Sequence, residues 1–402
     1  MADIDIKTKP RDDELYGWLL HPLSTTAFEE EVYERRWHVV KRDQPRYFSG
    51  LLTAEDLDRV IGTHAVSYPE VSVVGNNGDI DSASYTNASS IIEPLRIASH
   101  FDDGATIVFR ALHRHVPTLA RLAVQVGRRF GSRLQTNVYL TPVDAQGFAP
   151  HWDTHDVFVL QVDGSKQWTI YDTPVTLPLR GQKFDPQIHR PGSVTEEFEL
   201  RAGDVAYIPR GVMHAARSTE TVSLHITLGI TAFTWADFLI ESVAAAALKD
   251  VHLRENLPAG FTCNEIQAGD RVKLAREKLE AVLADLDTLP VWDRLATEAT
   301  ASNQPLFSDL LTQRLDPKPL ALEARVKRRA DIDATIESDH DSLVLTFSGQ
   351  EVRLPAGAKP AVMFIIATEE FTVSEIPDCL DPKSKLTLVN RLIREGLLVP
   401  AT

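Results

Sequence analysis

Hydrophobic and polar positions change their spacing along this chain, and the changes divide it into regions of different secondary structure. Before residue 131, apolar residues recur mainly at helical spacing, as from Val116 to Phe130, with strand-like runs such as Val71 to Val74 between them. From Gln135 to about Ile230, short β-runs alternate with Asp-Gly, Thr-Pro and Arg-Gly turns. This alternation predicts a β-barrel or a double-sheet jelly roll, a fold that commonly holds ligands in its mouth.

The pattern becomes helical again after Trp235. Asp237 to Lys249 and Gly269 to Leu289 are rich in Ala, Leu, Glu and Lys, and the second segment carries an apolar stripe at helical spacing. Such a stripe needs a surface to cover it. We expect this region to pack against a second copy of the chain across a two-fold axis, although packing on its own barrel is nearly as plausible.

The last part of the chain mixes helices with short strands. Ser342 to Phe347 alternates like a strand, Ala361 to Phe371 and Ser384 to Glu395 have helical patterns, and Gly396 to Val399 reads as a closing strand. This order resembles a winged helix, which usually suggests DNA binding. Residues 331–402 contain 12 Asp and Glu against 6 Lys and Arg, so we do not expect duplex binding.

Composition narrows the class of protein. Apolar residues make up 43% and charged residues 25% of the 402 residues, which is typical of a globular protein with two or three domains. The net charge of −15 argues against a nucleic-acid or membrane-surface partner and favours a basic one. No apolar run is long enough to span a bilayer. The two cysteines form no C-x-x-C motif and the sequence opens without a secretion signal, so we expect a cytoplasmic protein.

Two segments of the β-rich region contain residues suited to binding a metal ion. His151 and Asp153 are separated by one residue, and residues i and i+2 share a face of a strand. His214 follows a turn, a short strand and a second turn that begin at Gly203. Two histidines and one carboxylate with open coordination positions suit non-haem Fe(II) and its reaction with O₂. The alternatives are a hydrogen-bonded His-Asp pair and a core histidine at 214.

Other histidines compete for a metal-binding role. His155 would share the strand face of His151, so it ranks second to His214 as the third ligand. His113 and His115 repeat the i, i+2 spacing. No carboxylate accompanies them and the adjacent Arg114 would repel a cation, so we do not expect them to bind a metal ion.

Lys166 follows the hairpin signal Asp163-Gly164 and would share the interior strand face with an aromatic and an aliphatic residue. A lysine in that position needs an anion to stay charged, so one interpretation is a salt bridge to a dicarboxylate co-substrate. Tyr139 and Asn137 share a strand face upstream, and the tyrosine hydroxyl could hydrogen-bond the same carboxylate. An exposed hairpin lysine and an ordinary sheet tyrosine remain the simpler interpretations.

Four segments together carry a family resemblance: N-V-Y-L-T-P, P-H-W-D, D-V-F-V-L-Q-V-D-G-S-K-Q-W-T-I-Y and G-D-V-A-Y-I-P-R-G-V-M-H. They resemble the JmjC-type cupin oxygenases of the ribosomal oxygenase group. The resemblance implies a mixed α+β protein: a double-stranded β-helix JmjC domain with N-terminal helical elements (1–232), a helical dimerisation region (233–325) and a winged-helix-like domain (326–402).

The resemblance also implies a function, namely Fe(II)- and 2-oxoglutarate-dependent hydroxylation of a ribosomal protein with O₂. By position, the resemblance makes His151, Asp153 and His214 the iron ligands. It assigns co-substrate binding to Lys166 and Tyr139, with Asn137 and Ser223 near the pocket. Lysine at 166 resembles members that hydroxylate histidine, whereas arginine is usual there in bacterial members that hydroxylate arginine, so the target residue stays open. Hydroxylation or demethylation of another peptide or small metabolite, and a non-catalytic metal-binding scaffold, are the alternatives.

Overall fold

The computed structural model describes residues 14–75, 78–263, 267–284, 286, 290–302, 310–315, 319–329, 332, 334–338 and 342–401. The described residues form two compact units. One comprises those of 1–231 together with those of 303–402, and the other those of 232–302. The helical middle region is therefore a unit of its own. The division of the remainder into separate JmjC and winged-helix domains stays a prediction.

Two antiparallel sheets form the centre of the first unit, as expected for a cupin-type fold. Their inner faces enclose an apolar core that includes Val159, Trp168 and Ile208. The small sheet has the order β10-β7-β8 and the large one β1-β9-β6-β11-β5-β4-β2-β3. The strands are β1 (His38–Val40), β2 (Val71–Gly75), β3 (Gly78–Asp79), β4 (Thr106–Arg110), β5 (Arg133–Thr141), β6 (Asp156–Asp163), β7 (Ser165–Tyr171), β8 (Val194–Arg201), β9 (Val205–Ile208), β10 (His214–Ser218) and β11 (Ser223–Thr231).

The residue pattern explains the pairing of these strands. In β7, every second residue from Lys166 to Ile170 is buried, as expected for a strand with one face in the core. Gly164 joins β6 to β7 with a positive φ of 62°, and a Cβ there would lie 1.8 Å from the carbonyl oxygen of Val222. Only glycine therefore permits this hairpin to close against the neighbouring loop.

Helices that precede and follow the first strands cover the large sheet. Thr53 begins one of them with a capping box that also uses Asp56, as its sequence predicts. The helix that begins at Thr25 ends at Glu31, where the chain turns and positions Tyr33 against the core aromatics. The helices are α1 (Glu14–Leu20), α2 (Thr25–Glu31), α3 (Ala54–Thr63), α4 (Pro94–Asp102) and α5 (Pro117–Arg129).

The second unit is helical, with α6 (Trp235–Lys249), α7 (Ala268–Ala284) and α8 (Val291–Ser302). Its small core includes Ala246, Val282 and Val291. Much of the predicted apolar stripe of α7 lies outside that core, since Leu279 is 55% exposed. Residues 285 and 287–289, at the end of the predicted helix, lie outside the described residues. No helix in the described parts of the chain is long and apolar enough to cross a membrane.

The C-terminal part of the first unit has its own core, built around Val326, Leu345, Val362 and Val389. The helix predicted from Ala361 to Phe371 ends at residue 367, because Phe371 pairs as a strand with Val326. The elements are α9 (Leu310–Leu315), β12 (Arg325–Arg328), β13 (Ala334–Ser338), β14 (Ser342–Phe347), β15 (Gln350–Pro355), α10 (Lys359–Ala367), β16 (Glu370–Thr372), α11 (Pro382–Glu395) and β17 (Leu398–Pro400), in sheets ordered β16-β12-β17 and β13-β14-β15.

Candidate active site

His151 and His214 are joined through their backbones, although they come from distant stretches of sequence. Each backbone N–H donates to the other residue's carbonyl oxygen, at 3.0 Å from His151 and 2.8 Å from His214. The two imidazole rings lie 4.6 Å apart between centroids. His214 begins β10, as the turns before it predict, whereas His151 and Asp153 lie in the segment before β6. The His-x-Asp pair is therefore held by an isolated bridge, and the expectation of a regular strand there was wrong.

Both histidines present the same ring nitrogen for coordination. The Nδ1–H of His151 donates to the carbonyl oxygen of Ala149 at 2.9 Å, and that of His214 donates to Val212 at 3.0 Å. Because the proton is held at Nδ1, each Nε2 carries a lone pair. Burial and the neighbouring His151 lower the pKa of His214 to about 4, so this ring is neutral near pH 7. Both rings therefore turn Nε2 away from the backbone, where it can meet a metal ion.

Asp153 completes the group of three. One of its carboxylate oxygens lies 3.8 Å from Nε2 of His214, and the ligand atoms of His151, Asp153 and His214 all lie within 4.8 Å of one another. Within the part of the chain that the structure describes, no other group of three His, Cys, Asp or Glu residues comes together in this way. The residues present therefore fit a mononuclear metal ion held by two histidines and one carboxylate.

A buried ion pair ties together the two segments that carry these ligands. Asp156 is 1% exposed, and its carboxylate accepts hydrogen bonds from the Tyr207 hydroxyl at 2.9 Å and from Arg210 at 3.0 Å. Arg210 also pairs with Glu34. Because Asp156 follows the His-x-Asp segment and Arg210 precedes His214, this network fixes the distance between the two ligand-bearing segments.

A cavity of about 300 Å³ opens between the two sheets beside the metal-binding group. All three ligand side chains line it, together with polar side chains from the large sheet and one lysine from the small sheet. Trp168, Ile208 and Phe148 supply apolar wall. The polar lining residues away from the metal ligands are Thr106, Asn137, Tyr139, His155, Lys166, His225 and Thr227.

Lys166 lies at the inner wall of this cavity and is 4% exposed. Its ammonium group donates to Thr141 Oγ1 at 3.0 Å and forms no ion pair within the described residues. Burial lowers its pKa to about 7. A buried ammonium group without a carboxylate is costly, so the cavity is suited to an anion that would pair with it.

Tyr139 and Asn137 also line the cavity, whereas Ser223 does not. Burial, with the nearby charge of Asp153, raises the pKa of Tyr139 to about 12, so its hydroxyl stays protonated and can donate a hydrogen bond. The hydroxyl of Ser223 instead accepts from Gln161 at 2.8 Å in the packed interior. Ser223 is not among the residues that line the cavity, and its place near the pocket stays a prediction.

The sequence interpretation missed His225, which lines the cavity and is 3% exposed. Its ring stacks on Tyr139 with centroids 4.7 Å apart and an interplanar angle of 5°. Burial, together with the charge of Lys166, lowers its pKa well below the usual value. His225 and Thr227 lie two residues apart on β11, so strand alternation alone could have placed both side chains on the same face.

The competing histidines occupy other positions. His155 lines the cavity but is outside the group of three possible ligands. Its ring packs over Gly229, where a Cβ would lie 2.6 Å from the ring. His115 pairs with Glu70 at 2.6 Å, away from the cavity lining. The choice of His214 over His155 as third ligand thus agrees with the geometry.

Comparisons with known proteins agree with the resemblance seen in the motifs. Residues 112–238 match the family model described as JmjC domain, and this range includes the three possible metal ligands, Lys166, Tyr139 and His225. A ribosomal oxygenase 2 of Mus musculus is 28% identical over 310 residues, which are 74% of this chain and 64% of that protein. The bifunctional lysine-specific demethylase and histidyl-hydroxylase NO66 of Aedes aegypti is 28% identical over 260 residues, which are 61% of this chain and 40% of that protein.

A solved structure supports the same fold. YcfD, a ribosomal oxygenase from Escherichia coli, superposes with a TM-score of 0.50 at 16% identity and covers 95% of this chain and 99% of that chain. The chain spans less than two thirds of the length of the two curated relatives named above. The comparisons therefore show a JmjC domain and relatives among the ribosomal oxygenases.

Proposed function

We propose that this chain, which contains a JmjC domain of the ribosomal oxygenase type, is an Fe(II)- and 2-oxoglutarate-dependent oxygenase that hydroxylates a ribosomal protein. The observation that carries the proposal is the convergence of His151, Asp153 and His214 beside a cavity with an unpaired buried cation. The names of the relatives support the substrate class.

The three ligands would hold the metal ion on one side and leave its cavity side open for the co-substrate and O₂. Fe(II) bound there supplies the redox chemistry by which 2-oxoglutarate and O₂ oxidise a carbon–hydrogen bond. Burial keeps the His214 imidazole neutral, so a proton does not compete with the metal ion there. The Nδ1–H bonds of His151 and His214 to Ala149 and Val212 direct Nε2 of both rings toward the metal ion.

The inner wall of the cavity would bind the distal carboxylate of 2-oxoglutarate. Lys166 supplies the positive charge, and Tyr139 supplies a hydroxyl that stays protonated. Asn137 lies on the same strand face as Tyr139 and also lines the cavity. Because the cavity walls contain Trp168 and Ile208, the co-substrate is shielded from water on its apolar side.

The protein substrate is expected to be basic. The net charge of −15 favours encounter with a Lys- and Arg-rich ribosomal protein, and this attraction weakens as salt is added. The target residue is a histidine or an arginine. The lysine at position 166 and the name of the mosquito relative, a histidyl-hydroxylase, favour histidine.

The test uses the full chain loaded anaerobically with Fe(II). Succinate release from 2-oxoglutarate is measured in air, with and without acid-extracted ribosomal proteins from cells that lack this chain, and intact masses are compared. We expect succinate and a gain of one oxygen atom on one ribosomal protein. His151→Ala should abolish both, whereas His115→Ala, the matched histidine outside the cavity, should not. Unchanged turnover in His151→Ala would refute the proposal.

The second unit would join two copies of the chain. Support comes from α6, where Trp235, Leu239 and Ile240 are each more than half exposed. Leu239→Glu should convert a dimer into a monomer in light scattering, and a wild type that is already a monomer would contradict this.

Residues 326–402 would be a winged-helix-like domain that does not bind duplex DNA. A cytoplasmic location stays a prediction from composition.

A further inference from the structure

His225 lies at the inner wall of the cavity beside residues already assigned to the co-substrate. It is paired across the sheet with Tyr139, and their rings are parallel and in contact. Its ring also makes a T-shaped contact with Trp168, with centroids 6.1 Å apart. These two contacts hold the imidazole in one orientation.

One polar atom of this ring is not satisfied by the protein. Nδ1 is fully buried and has no hydrogen-bond partner among the described residues. A buried polar group without a partner costs free energy, and such groups in native proteins usually serve a ligand or a bound water. Lys166 is close enough for its charge to act on His225, and it too lacks an anionic partner within the described residues.

The charges at this wall match a single carboxylate. Lys166 contributes one positive charge, and His225 is kept neutral by burial and by that same charge. A carboxylate offers about four lone-pair positions. The ammonium group of Lys166 uses one of its three donors on Thr141, so together with the tyrosine hydroxyl it leaves one position unfilled. A neutral imidazole can donate a further hydrogen bond without adding a second buried cation.

Resting on the proposed function, we propose that His225 is a further co-substrate-binding residue: its neutral imidazole donates a hydrogen bond to the 2-oxoglutarate carboxylate that Lys166 and Tyr139 hold. The residue thus belongs to the binding site and is more than a packing partner of Tyr139.

The test is calorimetric titration of 2-oxoglutarate into the full chain loaded with Mn(II) in the absence of O₂. His225→Phe keeps an aromatic ring against Tyr139 but removes the donor, whereas His225→Gln keeps a donor and removes the ring. A hydrogen bond to a charged group implies that His225→Phe raises the Kd at least about tenfold. His225→Gln should raise it less, and Ser223→Ala, off the cavity on the same strand, should leave it unchanged.

Each outcome has one meaning. If the wild type binds 2-oxoglutarate and His225→Phe binds it equally well, or if only His225→Gln is impaired, the inference fails and the proposed function stands. If the wild type with Mn(II) does not bind 2-oxoglutarate, both fail. A crystal structure of the wild type with Mn(II) and 2-oxoglutarate tests the point without a variant. A co-substrate oxygen should lie within about 3.2 Å of a His225 ring nitrogen, and a longer distance would overturn the inference.

Discussion

Replacing Lys166 with methionine should stabilise the metal-free, co-substrate-free protein while weakening 2-oxoglutarate binding. Methionine fills a similar volume without a charge, and Lys166 is 4% exposed with one hydrogen bond, to Thr141. Burial lowers the lysine pKa from 10.5 to about 7. At about 1.4 kcal/mol per pKa unit, the buried ammonium group costs on the order of 4 kcal/mol of folding free energy at pH 7.

The sign of the pH dependence follows from this lowered pKa. Between pH 7 and 10.5 the unfolded chain holds more protons at this residue than the folded chain does, so wild-type stability rises with pH. The cost of the lysine is therefore largest at pH 7 and below, and it falls to about 2 kcal/mol at pH 9. Lys166→Met removes the cost, so the advantage of the variant should shrink by about half over this range.

The assay is the melting temperature of the wild type and Lys166→Met without metal or co-substrate, at pH 7 and pH 9 and at one scan rate. We expect the variant to melt several degrees higher at pH 7, with a smaller difference at pH 9. In the Mn(II) form the variant should bind 2-oxoglutarate at least about thirtyfold more weakly, since a buried charge pair is lost. A variant that melts below the wild type at pH 7 would refute the reasoning about the unpaired cation.

Three further predictions follow from the same contacts. Because binding needs the protonated form of Lys166, the Kd for 2-oxoglutarate should rise about fivefold from pH 7 to pH 8 in calorimetry, and Lys166→Arg should lose this dependence. Gly164→Ala should lower the free energy of unfolding by at least about 2 kcal/mol in denaturant titration, whereas Gly62→Ala, with open space around it, should not destabilise the protein. Asp156→Asn should leave Arg210 without its buried carboxylate partner, which should lower the free energy of unfolding by about 3–5 kcal/mol and weaken Mn(II) binding. Unchanged metal affinity would show that Asp156 does not help to position the metal-binding residues.

The sequence was sufficient to predict which three side chains come together, because local rules determine their positions. Turn residues around the strand before His214 determine where that histidine emerges, and the one-residue spacing keeps His151 and Asp153 together. Strand alternation likewise placed Lys166 on the interior face, where the structure has it. Each inference needed only a few neighbouring residues.

Features that depend on distant parts of the chain could not be predicted. The bridge between His151 and His214 replaces the expected strand, and the hydroxyl of Ser223 accepts a hydrogen bond from Gln161 of the neighbouring strand. Trp152, between the two ligands, is buried against Phe184 and His189 of the loop that precedes β8, a contact that no local pattern encodes. Sequence spacing alone gives no information on such long-range packing.

The claim on which the account depends is that one metal ion binds to three side chains. Anomalous diffraction from crystals soaked with Mn(II) and 2-oxoglutarate tests it directly. We expect a single strong peak within bonding distance of Nε2 of His151, the carboxylate of Asp153 and Nε2 of His214, with 2-oxoglutarate on the cavity side. A peak elsewhere, or a peak that persists in the Asp153→Ala variant with unchanged occupancy, would contradict the account.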